Sequence, residues 1–398
     1  MSAPESAVAT LDPFADENLA DPYPLHQRLR EAGPVVHLER YRVWAMARHA
    51  EVRASLTDHG TFCSGRGAGL TDFHREKPWR PPSLLLEADP PDHTVARAAM
   101  GKVISASTVR GFRETFRAEA EALVDELVER RQFDVVTDLA ERYPLKVFPD
   151  AVGLPAEGRE NLLPYGSLAF NAFGPRNHLL DRALAGAAPV RQWIWDSCRR
   201  EALAPGGLGS RLWEAADRGE ITHEQAPMLV RSLLSAGVDT TVHGIGNTIQ
   251  ALSANPEQWA RLREKPSLAR FAFDEGLRYE SPVQTFFRTT TREVVVAGTR
   301  IPAGEKVLLF LGSANRDPRA WGPDADRLDL TRGTAGQVAF GMGIHQCVGQ
   351  PIARLEAELV LTALAKRVSR LEPAGEPVPK LNNTLKGWSR VPVRVHPA

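Results

Sequence analysis

The chain has 398 residues, 43% hydrophobic and 25% charged, with 49 basic and 49 acidic side chains and a formal net charge of zero. This is globular composition, and the charge balance leaves no electrostatic footprint for nucleic acid or an anionic membrane. The longest apolar runs, such as VLLFL at 307–311, are too short to span a bilayer. In chain order, the first 25 residues are rich in Pro and Asp and are predicted to be irregular. The opening MSAPESAVATLDPF has neither a basic n-region nor an apolar h-region, which predicts no signal peptide. Apolar residues at helical spacing predict a helix over 108–131. The stretch 227–256, bounded by Pro227 and Pro256, predicts one long, apolar, central helix. A further helix over 268–280 is stopped by Ser281-Pro282. Residues 291–312 read as short strands with glycine turns, and 351–368 as a helix with Pro351 near its start. No repeat or linker divides the chain. Residues 26–398 are therefore expected to form one domain, mainly α with a minor β part.

Chemistry concentrates at 340–356, FGMGIHQCVGQPIARLE. Cys63, Cys198 and Cys347 are far apart, so a disulfide framework is not expected and a reducing cytoplasm is. Cys347 sits in F-x-x-G-x-H-x-C-x-G, formed by Phe340, Gly343, His345, Cys347 and Gly349. A packed core thiol is one reading. The other is a metal-bound thiolate. Gly343 and Gly349 allow close approach, while backbone N–H groups and the N-terminus of the following helix favour negative charge on sulfur. Zinc lacks partner ligands here. A cysteine hydrolase lacks an oxyanion loop, although His345 is close. One thiolate on one metal, with no other side-chain ligands, points to haem iron.

This segment resembles the haem-binding signature of the cytochrome P-450 family, the haem-thiolate monooxygenases. Further matches run in the family's order. Glu275-Gly-Leu-Arg278 matches E-x-x-R, whose side chains share a helix face. Arg327, in PDADRLDL, matches the third member of that structural network. The resemblance implies a fold with haem b held between the long central helix and the Cys347 loop. It also implies that His93, Arg97, Arg288 and His345 contact the haem propionates, and His93 and Arg97 do share a helix face at i and i+4. In AGVDTT (236–241), Gly237 invites a kink in the long helix. Asp239-Thr240 resembles the acid–alcohol pair that relays protons to bound oxygen. An Asp in an apolar helix is costly unless paired or functional. His243, soon after, is a titratable group the pattern leaves without a role. Two electrons must come from outside. No Walker loop or strand-linked G-x-G-x-x-G is apparent, so the expected partners are a separate ferredoxin and an NAD(P)H-dependent ferredoxin reductase.

The substrate reading rests on polar and aromatic residues that would meet above the haem. Ser232, Ser235 and Asp239 fall at i, i+3 and i+7 on one helix face, with Ala236 between. RPPSLLLE (80–87) adds Arg80, Ser83 and Leu86. Hydroxyl and guanidinium donors suit a carboxylate. Phe170 and Phe173, with Val283 and Phe286, can hold a flat ring. Arg231 and Arg191 read equally as entrance or surface residues. RPPS, FNAF, RSLLSAGVDTT and SPVQTFFRTTTRE together resemble bacterial monooxygenases of para-substituted benzoates. That resemblance implies O-demethylation of 4-methoxybenzoate, with Ser83 and Ser232 binding the carboxylate and Arg80 and Ser235 assisting. A cinnamate or a neutral phenol ether is the enzymatic alternative. A non-catalytic haem carrier or sensor is the other, against which the Asp239-Thr240 pair speaks.

Overall fold

The computed structural model describes residues 10–398. Of the opening segment expected to be irregular, residues 1–9 lie outside the described residues. The rest is largely ordered: Asp16–Ala20 and Tyr23–Ala32 are helices. Phe14, Leu25 and Leu29 pack with Phe287 and Phe310 in one apolar cluster. Burial of these side chains holds the segment where Pro and Asp content predicted a loop. No helix among the described residues is long and apolar enough to cross a membrane.

Helix α1 spans Asp92–Val103 and α2 spans Ala106–Arg130, the latter as its periodicity predicts. Ser105 caps α2, its hydroxyl accepting from the Thr108 amide at 3.3 Å. Arg131 ends it in the left-handed region at φ 61°. Helix α3 covers Leu162–Asn171. The single long helix expected over 227–256 is two helices, α4 (Gln225–Ala236) and α5 (Asp239–Ala254). The break falls at Gly237-Val238, where Gly237 was expected to kink the helix, and a distant ring packs against it. A Cβ on Gly237 would lie 2.2 Å from Phe148 Cζ and 2.7 Å from the Leu233 carbonyl, so the ring of Phe148 fills the place a side chain would take. Thr240 donates its hydroxyl to the Ala236 carbonyl across the break, at 2.8 Å. Helix α6 is Ala269–Glu280, closed by Ser281 at φ 37° ahead of Pro282. Helix α7 is Gln350–Arg367, with Pro351 in its first turn. It lies along α2 and against α6, and the main core is centred there.

The minor β part is led by a five-stranded sheet. Strands β1 (Val36–Leu38), β2 (Val43–Met46), β3 (Phe62–Cys63), β4 (Thr285–Thr290) and β5 (Lys306–Phe310) lie in the order β1-β2-β5-β4-β3. Only the β2–β5 pairing is parallel. Near the C-terminus, β6 (Val378–Lys380) and β7 (Gly387–Arg390) form an antiparallel hairpin against α5.

One buried network ties these parts together. Arg278 is fully buried, and all of its N–H donors find acceptors. Nε and one Nη2 hydrogen go to Glu275, at 2.7 and 2.8 Å. The others go to the carbonyls of Asn315, Ala325 and Arg327, at 2.7–2.9 Å. Arg327 was the expected third side chain. Its side chain is exposed, and only its carbonyl takes part. The second guanidinium near Glu275 is that of Arg332, at 3.4 Å. The correction follows from chain direction: residues 325–329 wrap Arg278 with backbone, which turns the Arg327 side chain outward.

Glu275→Gln leaves the buried Arg278 charge uncompensated and should cost about 3–5 kcal/mol of stability. Urea unfolding of wild type and variant measures this, and equal midpoints would contradict it.

Candidate active site

The Cys347 loop hangs between the network and α7. Asn315, whose carbonyl binds Arg278, also accepts the Val338 amide on its side chain at 2.8 Å, two residues before Phe340. The Cys347 amide then donates to the Phe340 carbonyl at 2.8 Å, and Arg354 of α7 lies over the Phe340 ring at 4.7 Å. Gly343 has φ +70°, and a Cβ there would lie 2.6 Å from the Leu56 carbonyl, so glycine is required. Gly349 is different: its φ is −80° and a Cβ would make only ordinary contact. The second left-handed glycine of the loop is Gly341, at φ +67°.

Burial pushes the Cys347 thiol up. The amides of Gly349 and Gln350 and the guanidinium groups of Arg97 and Arg354 act the other way. These are the donors and charges that stabilise a thiolate. The side chain is nonetheless accessible, as is Ala236 at the α4–α5 break, while Leu233, Leu234 and Val238 around it are buried. Accessible small residues within buried surroundings are what a flat prosthetic group needs.

The expected propionate contacts fit as well. Arg288, on β4, is 3% exposed and donates only to the Phe287 carbonyl. Burial lowers its pKa to about 10, and no carboxylate pairs with it among the described residues. The rings of His93 and His345 lie with centroids 4.5 Å apart, tilted at 60° to each other. Nε2 of each is buried without a hydrogen-bond partner, while His345 Nδ1 meets the Leu85 carbonyl at 3.0 Å. Burial first, then His345 and Arg97, lower the His93 pKa to about 4. Arg97 donates to the Gln346 carbonyl at 2.5 Å, beside Cys347. Asp89 is the one carboxylate that acts on this group, 3.9 Å from His345 Nε2 and pulling on Arg288. The buried guanidinium and the two imidazole nitrogens without hydrogen bonds among the described residues still suit a dianionic partner, and the residues therefore fit haem.

Asp239 opens α5 and is buried, with neither oxygen hydrogen-bonded. Its neighbours are His243 Nε2 at 3.4 Å and Lys380 Nζ at 3.7 Å. His243, at i+4, shares the helix face of Asp239, whereas Lys380, 141 residues further along the chain, carries no such signal.

At the other end, Ser83 and Ser232 bring their hydroxyls to 3.5 Å of each other. Ser83 Oγ accepts from the Leu85 and Leu86 amides. Ser232 and Ser235 donate to the Met228 and Ser232 carbonyls, at 3.0 and 3.3 Å, so each must rotate its O–H to meet a ligand. Arg80 is buried but already paired with Glu87 at 2.8 Å. Arg231 is neither an entrance nor a surface residue. It is 1% exposed, its ring partner is Trp195 at 5.1 Å, and Nη2 donates to the Pro82 carbonyl at 3.2 Å. Nη1 has no partner. Burial, then Arg80, lower its pKa. Phe170, Phe173 and Val283 cluster with Ala68 and Leu385, and Leu86 and Phe286 pack against them. Phe173 meets Phe170 and Phe286 edge to face, at 5.8 and 5.5 Å. Leu385 joins the group through its bridge to Val283. Nothing in the pattern NNTLKGW marked it.

The family description Cytochrome P450 matches residues 208–395. The chain is 57% identical over 389 residues to Cytochrome p450 CYP199A2 of Rhodopseudomonas palustris, covering 98% of this chain and 94% of that protein. It is 32% identical to Vitamin D(3) 25-hydroxylase of Pseudonocardia autotrophica, covering 97% and 96% of the two chains. Among solved structures, cytochrome P450 CREJ in complex with (4-ethylphenyl) dihydrogen phosphate is similar at a TM-score of 0.88 and 25% identity, over 98% of this chain and all of that one.

Cys347→Ser removes the only cysteine of this loop. The reduced variant should lose the long-wavelength band that carbon monoxide gives with thiolate-ligated haem; an unchanged spectrum would place the ligand elsewhere.

Proposed function

This chain belongs to the cytochrome P450 family, and on that premise we propose that it oxidises para-substituted benzoates, removing the methyl group of 4-methoxybenzoate. The chain is a monooxygenase with haem b as cofactor. Cys347 would hold the haem iron in this reading, and Arg97, Arg288, His93 and His345 would hold the propionates. When bound, haem supplies the iron at which dioxygen is activated and one oxygen atom is passed to a substrate C–H bond. The balance is methyl ether plus O2, two electrons and two protons, giving hemiacetal plus water. The hemiacetal then splits to 4-hydroxybenzoate and formaldehyde. The electrons are assigned to a separate ferredoxin reduced by an NAD(P)H-dependent reductase. The protons are assigned to Asp239 and Thr240.

The observation that carries the substrate reading is the uncompensated charge of Arg231. A buried guanidinium with an N–H that has no hydrogen-bond partner among the described residues, held by the Pro82 carbonyl next to Ser83, has a carboxylate as its natural complement. Arg80 already has Glu87, so it adds field rather than a free charge. The Phe170, Phe173, Val283, Leu385 and Phe286 cluster would hold the ring between this anchor and the reacting carbon. The similar structure that holds a 4-ethylphenyl phosphate supports an anionic, para-substituted ring as the general shape.

Two measurements test this. In the holoenzyme, 4-methoxybenzoate should displace iron-bound water and move the Soret band toward high spin, and methoxybenzene should do so far more weakly; equal responses would remove the carboxylate anchor. Arg231→Met should weaken binding of the acid by about 1.5–3 kcal/mol and Ser232→Ala by about 1–3 kcal/mol. Titration of the same band reads both, and unchanged affinities would count against these contacts.

A further inference from the structure

A buried, ionised carboxylate costs several kcal/mol unless charge or hydrogen bonds compensate it. In Asp239 both oxygens lack hydrogen bonds among the described residues. Two groups stand at ion-pair distance instead. His243 lies one turn along α5, with Nε2 at 3.4 Å. Lys380 ends β6, with Nζ at 3.7 Å. Exposure falls along this series: the Lys380 side chain is 28% accessible, His243 3% and Asp239 1%. Both groups meet the same oxygen, Oδ1, so the partly exposed Lys380 links the buried carboxylate at the start of α5 to solvent while His243 approaches from within the fold.

The surrounding elements are shaped to admit these groups. A Cβ on Gly387 of β7 would lie 1.9 Å from His243 Nδ1. A Cβ on Gly166 of α3 would lie 2.8 Å from Asp239 Cβ. Two glycines on different elements thus leave room for the imidazole and the carboxylate. Other charged groups act on the cluster. Lys386, just before β7, works on His243 in the same sense as Lys380, and is itself paired with Glu280. Glu141, which precedes the helix Arg142–Val152, has its pKa raised by burial, with Asp239 and Asp134 adding and Lys380 opposing.

We propose that protons reach Asp239 from solvent by way of Lys380 on the β6–β7 hairpin, and that His243 is a positioning residue holding the carboxylate between that entrance and Thr240. The proposal rests on the reading of Asp239 as proton relay. Each turnover consumes two protons, and the carboxylate that delivers them is sealed from water. Lys380 alone would draw the carboxylate toward the surface as a simple ion pair. His243 offers a second partner on the helix side. Burial lowers its pKa to about 4, against the pull of Asp239, so the imidazole is neutral at working pH. A neutral imidazole can donate to the carboxylate without fixing its charge.

The test uses the holoenzyme with Lys380→Met, His243→Phe, His243→Asn and Asp239→Asn. Product formation driven by dioxygen and external electrons needs protons from solvent. Product formation driven by hydrogen peroxide brings oxygen and both protons with it. The ratio of the two rates isolates proton entry. It should fall by about tenfold in Lys380→Met and in the His243 variants, short of the roughly 10²–10⁴-fold for losing an acid group itself. A second readout needs no turnover. In the reduced, carbon monoxide-bound protein with ¹⁵N-labelled histidine, the His243 ring resonances should stay those of a neutral imidazole through the working pH range. They should shift in Lys380→Met, a partly exposed site whose replacement leaves the fold intact. If the ratio holds at wild-type value in Lys380→Met and both His243 variants while Asp239→Asn lowers it, this entrance is wrong and the relay stands. If Asp239→Asn also keeps the ratio, the relay reading itself fails. A His243 signal that ignores Lys380→Met likewise overturns the proposal.

Discussion

The five N–H donors of Arg278 hold the region from which the rest of the site is hung. A guanidinium without water must satisfy every donor or lose much of its solvation energy. Arg278 does so with one carboxylate and three backbone carbonyls. Those carbonyls belong to residues 315, 325 and 327, so a charge on α6 fixes a stretch of chain whose only helix is the single turn Pro318–Trp321. Asn315 passes the restraint on. Its side chain binds Ser281 at the end of α6 and the Val338 amide at the entrance of the Cys347 loop. The position of the sulfur thus depends on an ion pair that lies outside the site.

The second constraint is the interruption of the central helix. Phe148 occupies the place where a side chain at 237 would lie, and the helix restarts at Asp239. A continuous helix would bury Ala236 and leave Thr240 as one more core residue. The break exposes Ala236, and the Thr240 hydroxyl bonds its carbonyl. Asp239 becomes the first residue of a helix, where the dipole favours a negative charge. Shape and electrostatics at this point come from the same feature.

The corner where Ser83 and Ser232 meet carries more positive charge than the nearby carboxylate balances. Glu87 pairs with Arg80, and Arg231 remains with a carbonyl and an indole face. Aromatic faces stabilise guanidinium planes, which lets such a charge persist in the interior. The serines are less committed. Their hydroxyls are engaged with backbone groups, Ser232 and Ser235 in the way that serines in helices often are.

Local patterns alone determined much of this protein. The glycine-framed cysteine, the E-x-x-R pair and the periodic stretches at 108–131, 268–280 and 351–368 each depend on residues a few positions apart. Backbone geometry makes such spacing meaningful in any context. The aromatic cluster was likewise visible as Phe170, Phe173, Val283 and Phe286, without Leu385. Tertiary structure decided the rest. It turned Arg327 outward and brought Arg332 to Glu275. It buried Arg231, packed Phe148 against the kink that Gly237 had marked, and ordered the segment around Phe14. It also set Lys380 beside Asp239. Each outcome turns on which distant group fills a given space or answers a given charge, and that is fixed only when the elements pack.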